Sequence, residues 1–382
     1  MVHPARASLT LVSLVSAGLL ATGLPMAGQA TATDRVAPSP PQVRVHAKTP
    51  SGVSLAWRPA RDNVGVTAYR VFRGGAPIAV LKASKRSYVV RGLACGTTYR
   101  LGLQATDGAG NSSRRSSLVA ATAACGDQVI AAVGDLCLTG ADCAPTAALV
   151  DQINPVRVLT LGDHAYPEGT LAQYQGAYEP AWGRFKAKTS PTPGNHDYDT
   201  PGARGYYEYF GARAPKEYFS FDLGAWHVIS LNSEISVRAG STQWKWLKAD
   251  LTAHRSRCIL AYWHTPHFSS GRQHRTGGRF VPFWTLLSDA GADVVLTAHE
   301  HNYERFARQD ALGAANPKGV RQFVVGTGGA ALLPLGPPVA NSEARSNTTF
   351  GVLKLVLRTG GYDWAFVPVA GASFTDAGSD TC

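Results

Sequence analysis

Val156-Arg157-Val158-Leu159-Thr160-Leu161-Gly162-Asp163-His164-Ala165-Tyr166 decides how the larger part of this chain is read. The first six residues are mostly apolar and β-branched, as in a strand covered on both faces. Gly162 ends the run, and a carboxylate, an imidazole and a phenol follow at once. Other apolar stretches, at 129–133, 226–231, 258–263 and 292–297, alternate with segments of helical period at 170–185, 241–254 and 279–290. In the second of these, Trp244, Leu247 and Leu251 fall on one face. The alternation predicts an α/β domain with covered sheets over 126–382. Asp135, Asp163, His264 and His299 stand just past the carboxyl ends of their strands, where open α/β sheets hold ligands.

Ahead of residue 126 the grammar differs. Stretches 42–46, 53–57, 68–72, 87–90 and 98–103 alternate apolar with polar residues, divided by turns such as Gly74-Gly75 and Asp107-Gly108-Ala109-Gly110-Asn111. Short strands without a helical period predict an all-β sandwich over 41–125. Residues 33–40 read as a Pro-rich linker. Arg6, an apolar run over 9–24 and Ala30-Thr31-Ala32 read as a cleaved signal peptide over 1–32, and hence as a secreted protein. A retained membrane anchor would need about 20 strongly apolar residues, and this run is shorter and closed by Pro25. No later stretch is long and apolar enough to span a bilayer.

Residues 40–125 hold 13 Lys and Arg against 2 Asp and Glu, whereas 126–382 holds 22 against 23. The small domain thus carries the net charge and can draw a polyanion or a cell wall by long-range attraction. The plainer reading is an arginine-decorated β-domain, and nothing marks specific nucleic-acid recognition. All six cysteines suit an oxidising compartment, and their order along the chain favours Cys95–Cys125, Cys137–Cys143 and Cys258–Cys382.

The motifs Gly134-Asp135, Gly162-Asp163, Gly194-Asn195-His196-Asp197, Trp263-His264-Thr265-Pro266 and His299-Glu300-His301 supply oxygen and nitrogen donors for two hard or borderline metals. Asp163 is the natural bridge, because one carboxylate offers two oxygens. His299 and His301 reach different ions only if the backbone bends between them. A closed structural zinc site would be richer in cysteine. Neither a Gly-x-Ser-x-Gly elbow nor a phosphate loop ending in Gly-Lys-Ser/Thr is present.

From about 129 to 369 the chain resembles the calcineurin-like metallophosphoesterases, and among them the purple acid phosphatases and their bacterial secreted relatives. The marks are Gly162-Asp163-x-x-Tyr166 and His299-Glu300-His301-Asn302-Tyr303-Glu304-Arg305. Trp57 and the stretch Gly92 to Tyr99 likewise resemble the fibronectin type III domain. The resemblance implies a two-sheet αββα sandwich behind a fibronectin type III-like sandwich. It implies one metal on Asp135, Asp163, Tyr166 and His301, and a second on Asp163, Asn195, His264 and His299. The first would be ferric iron and the second Fe2+, Zn2+ or Mn2+. Two residues depart from the pattern. Cys137 stands where the family has Gly or a ligating His, so a thiolate ligand competes with a disulfide to Cys143. Ala298 replaces the usual Gly before His299, which puts the position of His299 in question.

What this implies is a phosphatase hydrolysing small phosphate monoesters, with a metal-activated hydroxide attacking phosphorus. His196 is expected to bind phosphate, with Asp197 orienting it. His274 is the expected proton donor, His267 the competing candidate, and Arg272 a further phosphate contact. His164 is expected to pack beside the metals without ligating. Phosphodiesterase chemistry at the same site is the nearest alternative, and a wall- or polyanion-binding protein with weak catalysis the more distant one.

Overall fold

In the computed structural model, residues 34–254, 258–272 and 278–382 are described, and the expected signal peptide lies outside them. Strands β1 (Gln42–Thr49), β2 (Gly52–Arg58), β3 (Val66–Arg73), β4 (Ala76–Lys82), β5 (Ser87–Arg91), β6 (Thr98–Asp107) and β7 (Ser116–Ala121) form two sheets. Their orders are β1-β2-β5 and β4-β3-β6-β7. Leu55, Trp57, Tyr69, Val71, Leu101 and Leu103 fill the space between them. The Tyr99 hydroxyl accepts from Ala94 N–H at 2.8 Å, the bond of a tyrosine corner. Sequence patterning missed β4 and β7, which are the two edges of the four-stranded sheet. Half-exposed edge strands alternate weakly, and Pro77 is tolerated there because an edge N–H needs no partner.

The remaining strands are β8 (Gln128–Val133), β9 (Arg157–Leu161), β10 (Thr189–Thr192), β11 (Phe219–Leu223), β12 (Trp226–Ser230), β13 (Cys258–Tyr262), β14 (Val294–Thr297), β15 (Tyr303–Phe306), β16 (Arg321–Val325), β17 (Ser342–Ser346), β18 (Gly351–Arg358), β19 (Gly361–Pro368) and β20 (Asp376–Thr381). They build a six-stranded sheet, β10-β9-β8-β18-β19-β20, and a seven-stranded one, β11-β12-β13-β14-β16-β15-β17. Val228, Leu260 and Leu296 face the core shared with Ala132, Leu159 and Leu355. Their neighbours Ile229, Ala261 and Val295 face a second core with Leu247, Leu251, Phe283 and Trp284. Period two along each strand thus covers the seven-stranded sheet on both sides.

Helices Thr242–Ala253 and Val281–Asp289 match expectation, the first capped by Ser241 Oγ accepting from Trp244 N–H. The stretch from Leu171 is helical in short α, π and 3₁₀ pieces that run to Lys188. Gly140–Ile153 and Arg204–Phe210 are helices the pattern did not show. The first contains Pro145 and few large apolar residues. The second is rich in aromatics of modest helix propensity, and burial of Tyr206, Tyr209 and Phe210 holds it. The three disulfides pair as expected: Cys95–Cys125, Cys137–Cys143 and Cys258–Cys382.

One buried histidine ties the rim of the seven-stranded sheet together. His227 Nδ1 lies 2.9 Å from Asp222 Oδ1 and Nε2 lies 2.8 Å from Asp250 Oδ2. Burial alone would lower the imidazole pKa, but the two carboxylates raise it above 6.5. Its stabilising charge is therefore fully present below pH 6.5 and is lost as pH rises through the raised value. His227→Gln should cost about 2–3 kcal/mol at acidic pH and progressively less in alkali. Chemical denaturation across that range checks this, and a pH-independent difference would contradict it.

Candidate metal centre

Asp135, Asp163, His264 and His299 each stand two residues past the ends of β8, β9, β13 and β14. Asn195 opens a short helix after β10, and His301 precedes β15. The donors divide by origin. Asp135, Asp163, Tyr166 and Asn195, all oxygen donors, follow strands of the six-stranded sheet, while the imidazoles of His264, His299 and His301 flank strands of the seven-stranded sheet.

Of seven described non-glycine residues with positive φ, four are Asp135 (57°), Asp163 (52°), His299 (69°) and His301 (43°). Each such turn costs about 1–2 kcal/mol, so the strain concentrates where donors must be re-aimed. This is the bend that lets His299 and His301 face different neighbours. Glycines make room behind them. A Cβ on Gly162 would stand 2.5 Å from His264 Nδ1, and one on Gly194 would stand 2.2 Å from Asp163 Oδ1. Ala298 is accommodated in the same way, since its methyl lies 2.6 Å from where a Gly134 Cβ would be.

The donor atoms fall into two groups that share Asp163. In one, Tyr166 Oη lies 3.1 Å from Asp135 Oδ1, 3.3 Å from Asp163 Oδ2 and 3.1 Å from His301 Nε2. In the other, His264 Nε2 lies 3.1 Å from Asp163 Oδ2, 3.1 Å from Asn195 Oδ1 and 3.0 Å from His299 Nδ1. His264 Nδ1 donates to Leu161 O at 2.8 Å and His301 Nδ1 donates to Ala331 O at 2.8 Å. With each Nδ1–H so committed, His264 Nε2 faces the Asp163 and Asn195 oxygens and His301 Nε2 faces the Tyr166 hydroxyl. Around His264 acceptors converge on a point that calls for positive charge, a ring proton or a metal ion, and carboxylate, phenol, amide and imidazole suit transition metals.

The electrostatics agree. Burial alone would lower the His264 pKa, yet Asp163 pushes it up to about 10. Burial would raise Asp163, yet His264 holds it below the usual carboxylate range. Burial raises the Asp135 carboxyl, and burial with Asp135 and Asp163 pushes the Tyr166 phenol well above 10.

Asp197 does not orient His196, contrary to expectation. It is wholly buried, and its carboxylate takes Gly194 N–H (2.8 Å), Asp163 N–H (3.1 Å), the Tyr174 hydroxyl (2.6 Å) and His164 Nδ1 (3.0 Å). His164 Nε2 meets Thr160 Oγ1 at 2.7 Å, and the ring packs among Tyr174, Tyr178, Tyr206 and Phe210 without touching the donor groups. Tyr174 had gone unnoticed, for nothing in an aromatic-rich helical stretch marks the one hydroxyl that reaches a carboxylate.

His196 is placed by the centre itself. Its N–H donates to Asp163 Oδ1 at 2.9 Å, its ring lies 4.5 Å from the Tyr166 ring, and Nδ1 meets Pro167 O at 2.6 Å. Cys137 is bonded to Cys143 and is no thiolate ligand. His267 is drawn elsewhere: its ring packs on Phe268 and Trp284, with Nε2 2.9 Å from Ala311 O. Arg272 is exposed, and His274 lies outside the described residues.

Asp197→Asn puts an amide donor where four donors converge. It should weaken metal retention about 10–100-fold and cost about 2–3 kcal/mol. Equilibrium dialysis against Zn2+ and thermal melting measure both, and unchanged retention would count against this bracing role.

Residues 129–303 match the family model of the calcineurin-like phosphoesterases, and residues 37–122 match that of the fibronectin type III domain. Purple acid phosphatase 15 of Arabidopsis thaliana is 29% identical over 239 residues, covering 52% of this chain and 44% of that protein. The chain thus spans less than half the length of this relative. Among solved structures, the purple acid phosphatase PPD1 from yellow lupin (Lupinus luteus) seeds aligns with a TM-score of 0.55 at 17% identity, over 90% of this chain and 74% of that one. GAP50, the anchor in the inner membrane complex of Plasmodium, aligns at 0.54 and 15%, over 66% and 88%. At such identities both speak for the fold alone.

Proposed function

We propose that this chain, which joins a fibronectin type III domain to a calcineurin-like phosphoesterase domain, is a secreted phosphatase of the purple acid type that hydrolyses phosphate monoesters. The convergence of lone pairs on two points that share Asp163 carries this reading. Asp135, Tyr166 and His301 would hold one ion, Asn195, His264 and His299 the other, and Asp163 both. When bound, the pair supplies a water activated for attack on phosphorus and charge to neutralise the phosphoryl oxygens.

The chain's own residues have complementary tasks. His196, with Nδ1 committed to Pro167 O, keeps Nε2 for a substrate oxygen beside Tyr166. Asp197 holds the turns that carry Asp163 and Asn195 in register, so substrate binding need not reorganise them. His274 is the proposed proton donor to the leaving alcohol, and Arg272 a phosphate contact. His267, engaged with Ala311 O, has no part in the proposal. Ferric iron as the first ion is carried over from the purple acid phosphatases the chain resembles, in which a tyrosine is a ligand, as Tyr166 would be here. Phosphodiester hydrolysis is the second reading, because the same donors serve either ester.

A fold shared with a protein described as an anchor does not by itself imply catalysis, so the test must reach the donors. Asp163→Ala and His264→Ala should each lower hydrolysis of an aryl phosphate at least about 1,000-fold and lower metal content in parallel. Full turnover in either metal-depleted variant would remove the mechanism. A monoester-to-diester panel of kcat/KM values decides between the two ester classes. Tyr166→Phe should abolish a visible tyrosinate-to-iron absorption band while leaving the circular dichroism unchanged, and a colourless native protein holding two zinc ions would overturn the iron assignment.

A further inference from the structure

We propose that the fibronectin type III domain carries an oxyanion site, framed by Arg44 and Arg58 beside Ala56 with Arg86 at the end of the cavity, that takes a phosphate group. It gives the basic domain's attraction for polyanions a definite address, and it does not depend on the phosphatase reading. The register of β1 on β2 sets Arg44 opposite Ala56 and Gln42 opposite Arg58. The register of β2 on β5 sets Ala56 opposite Ser87, and Trp57 N–H donates to Arg86 O at 3.0 Å. Ala56 therefore lies between Arg44 on β1 and Ser87 on β5, with Arg58 two residues along on the same face and Arg86, opposite Trp57, just ahead of β5. A cavity of about 640 Å³ opens there, lined by Gln42, Arg44, Ala56, Trp57, Arg58 and Arg86 among others, none of them acidic.

No carboxylate answers these cations. The arginines that form ion pairs among the described residues are Arg184, Arg204, Arg305, Arg308, Arg321 and Arg358, all outside this domain. Asp62 and Asp107, the only acids between 40 and 125, accept backbone N–H groups of their own loops. Arg86 is preset by Ala83 O and Lys85 O and lies 5.9 Å over the Tyr69 ring. Trp57 backs the cavity from the core side, its ring 5.4 Å from that of Tyr69. Guanidinium forks bind phosphate oxygens through paired N–H bonds, so a wall of donors and cations fits a phosphate oxyanion.

The test uses the full chain and calorimetric titration with inorganic phosphate and with polyphosphate. Arg44→Gln/Arg58→Gln is compared with Arg70→Gln/Arg100→Gln, which removes the same charge from exposed positions on the other sheet. The catalytic centre is common to all three proteins, so a difference between the pairs belongs to the domain. The first pair should weaken polyphosphate binding at least about tenfold and the second no more than about threefold. Parallel loss for inorganic phosphate assigns the site to any phosphate group, and loss for the polymer alone assigns it to polymer phosphates. Equal losses in both pairs would reduce the effect to diffuse charge and overturn the site, as would absence of binding by the native chain. Turnover of a small ester, followed in all three, reports separately on the catalytic reading.

Discussion

His264 Nε2 and Asp163 Oδ2 stand 3.1 Å apart, with the imidazole proton committed to Leu161 O on the far side of the ring. Two lone pairs cannot rest against each other in a dry site without positive charge on or between them. The surrounding architecture serves this contact. Strained turns aim the donors, side-chain-free positions at 162 and 194 let backbone and ring close up, and buried Asp197 fixes both turns. Strain of about 1–2 kcal/mol at each of four turns gathers where the donors are aimed.

Much of this was legible in the chain. Strand-ending motifs pointed to these side chains because α/β sheets gather ligands at the carboxyl ends of their strands. What could not be read was how the motifs support one another. Asp197 sits next to His196 in sequence but bonds His164 and Tyr174, because the short helix begun at Asn195 turns its side chain inward. His267 looked equivalent to other loop histidines until packing drew it between Phe268 and Trp284. Helix Arg204–Phe210 escaped notice because its shape comes from tertiary burial rather than propensity. Edge strands β4 and β7 escaped because exposure blurs their alternation.

The substitution of Ala at 298 shows how a local departure is absorbed. Its methyl fills space left by Gly134, so the fully buried backbone at 298 still presents His299 N–H to Asp135 Oδ2 at 2.7 Å. Cys137 is absorbed differently, by covalent closure with Cys143. Neither change removes a donor.

The division of donors, oxygens from one sheet and imidazoles from the other, has a thermodynamic consequence. Any cation gripped there is a rivet through both layers of the sandwich, and neither layer can part without releasing it. By mass action, occupancy then adds RT ln(1 + [L]/Kd) to global unfolding, about 4 kcal/mol at a thousandfold excess over Kd. Removing such an ion should therefore lower the stability of both layers together by that amount.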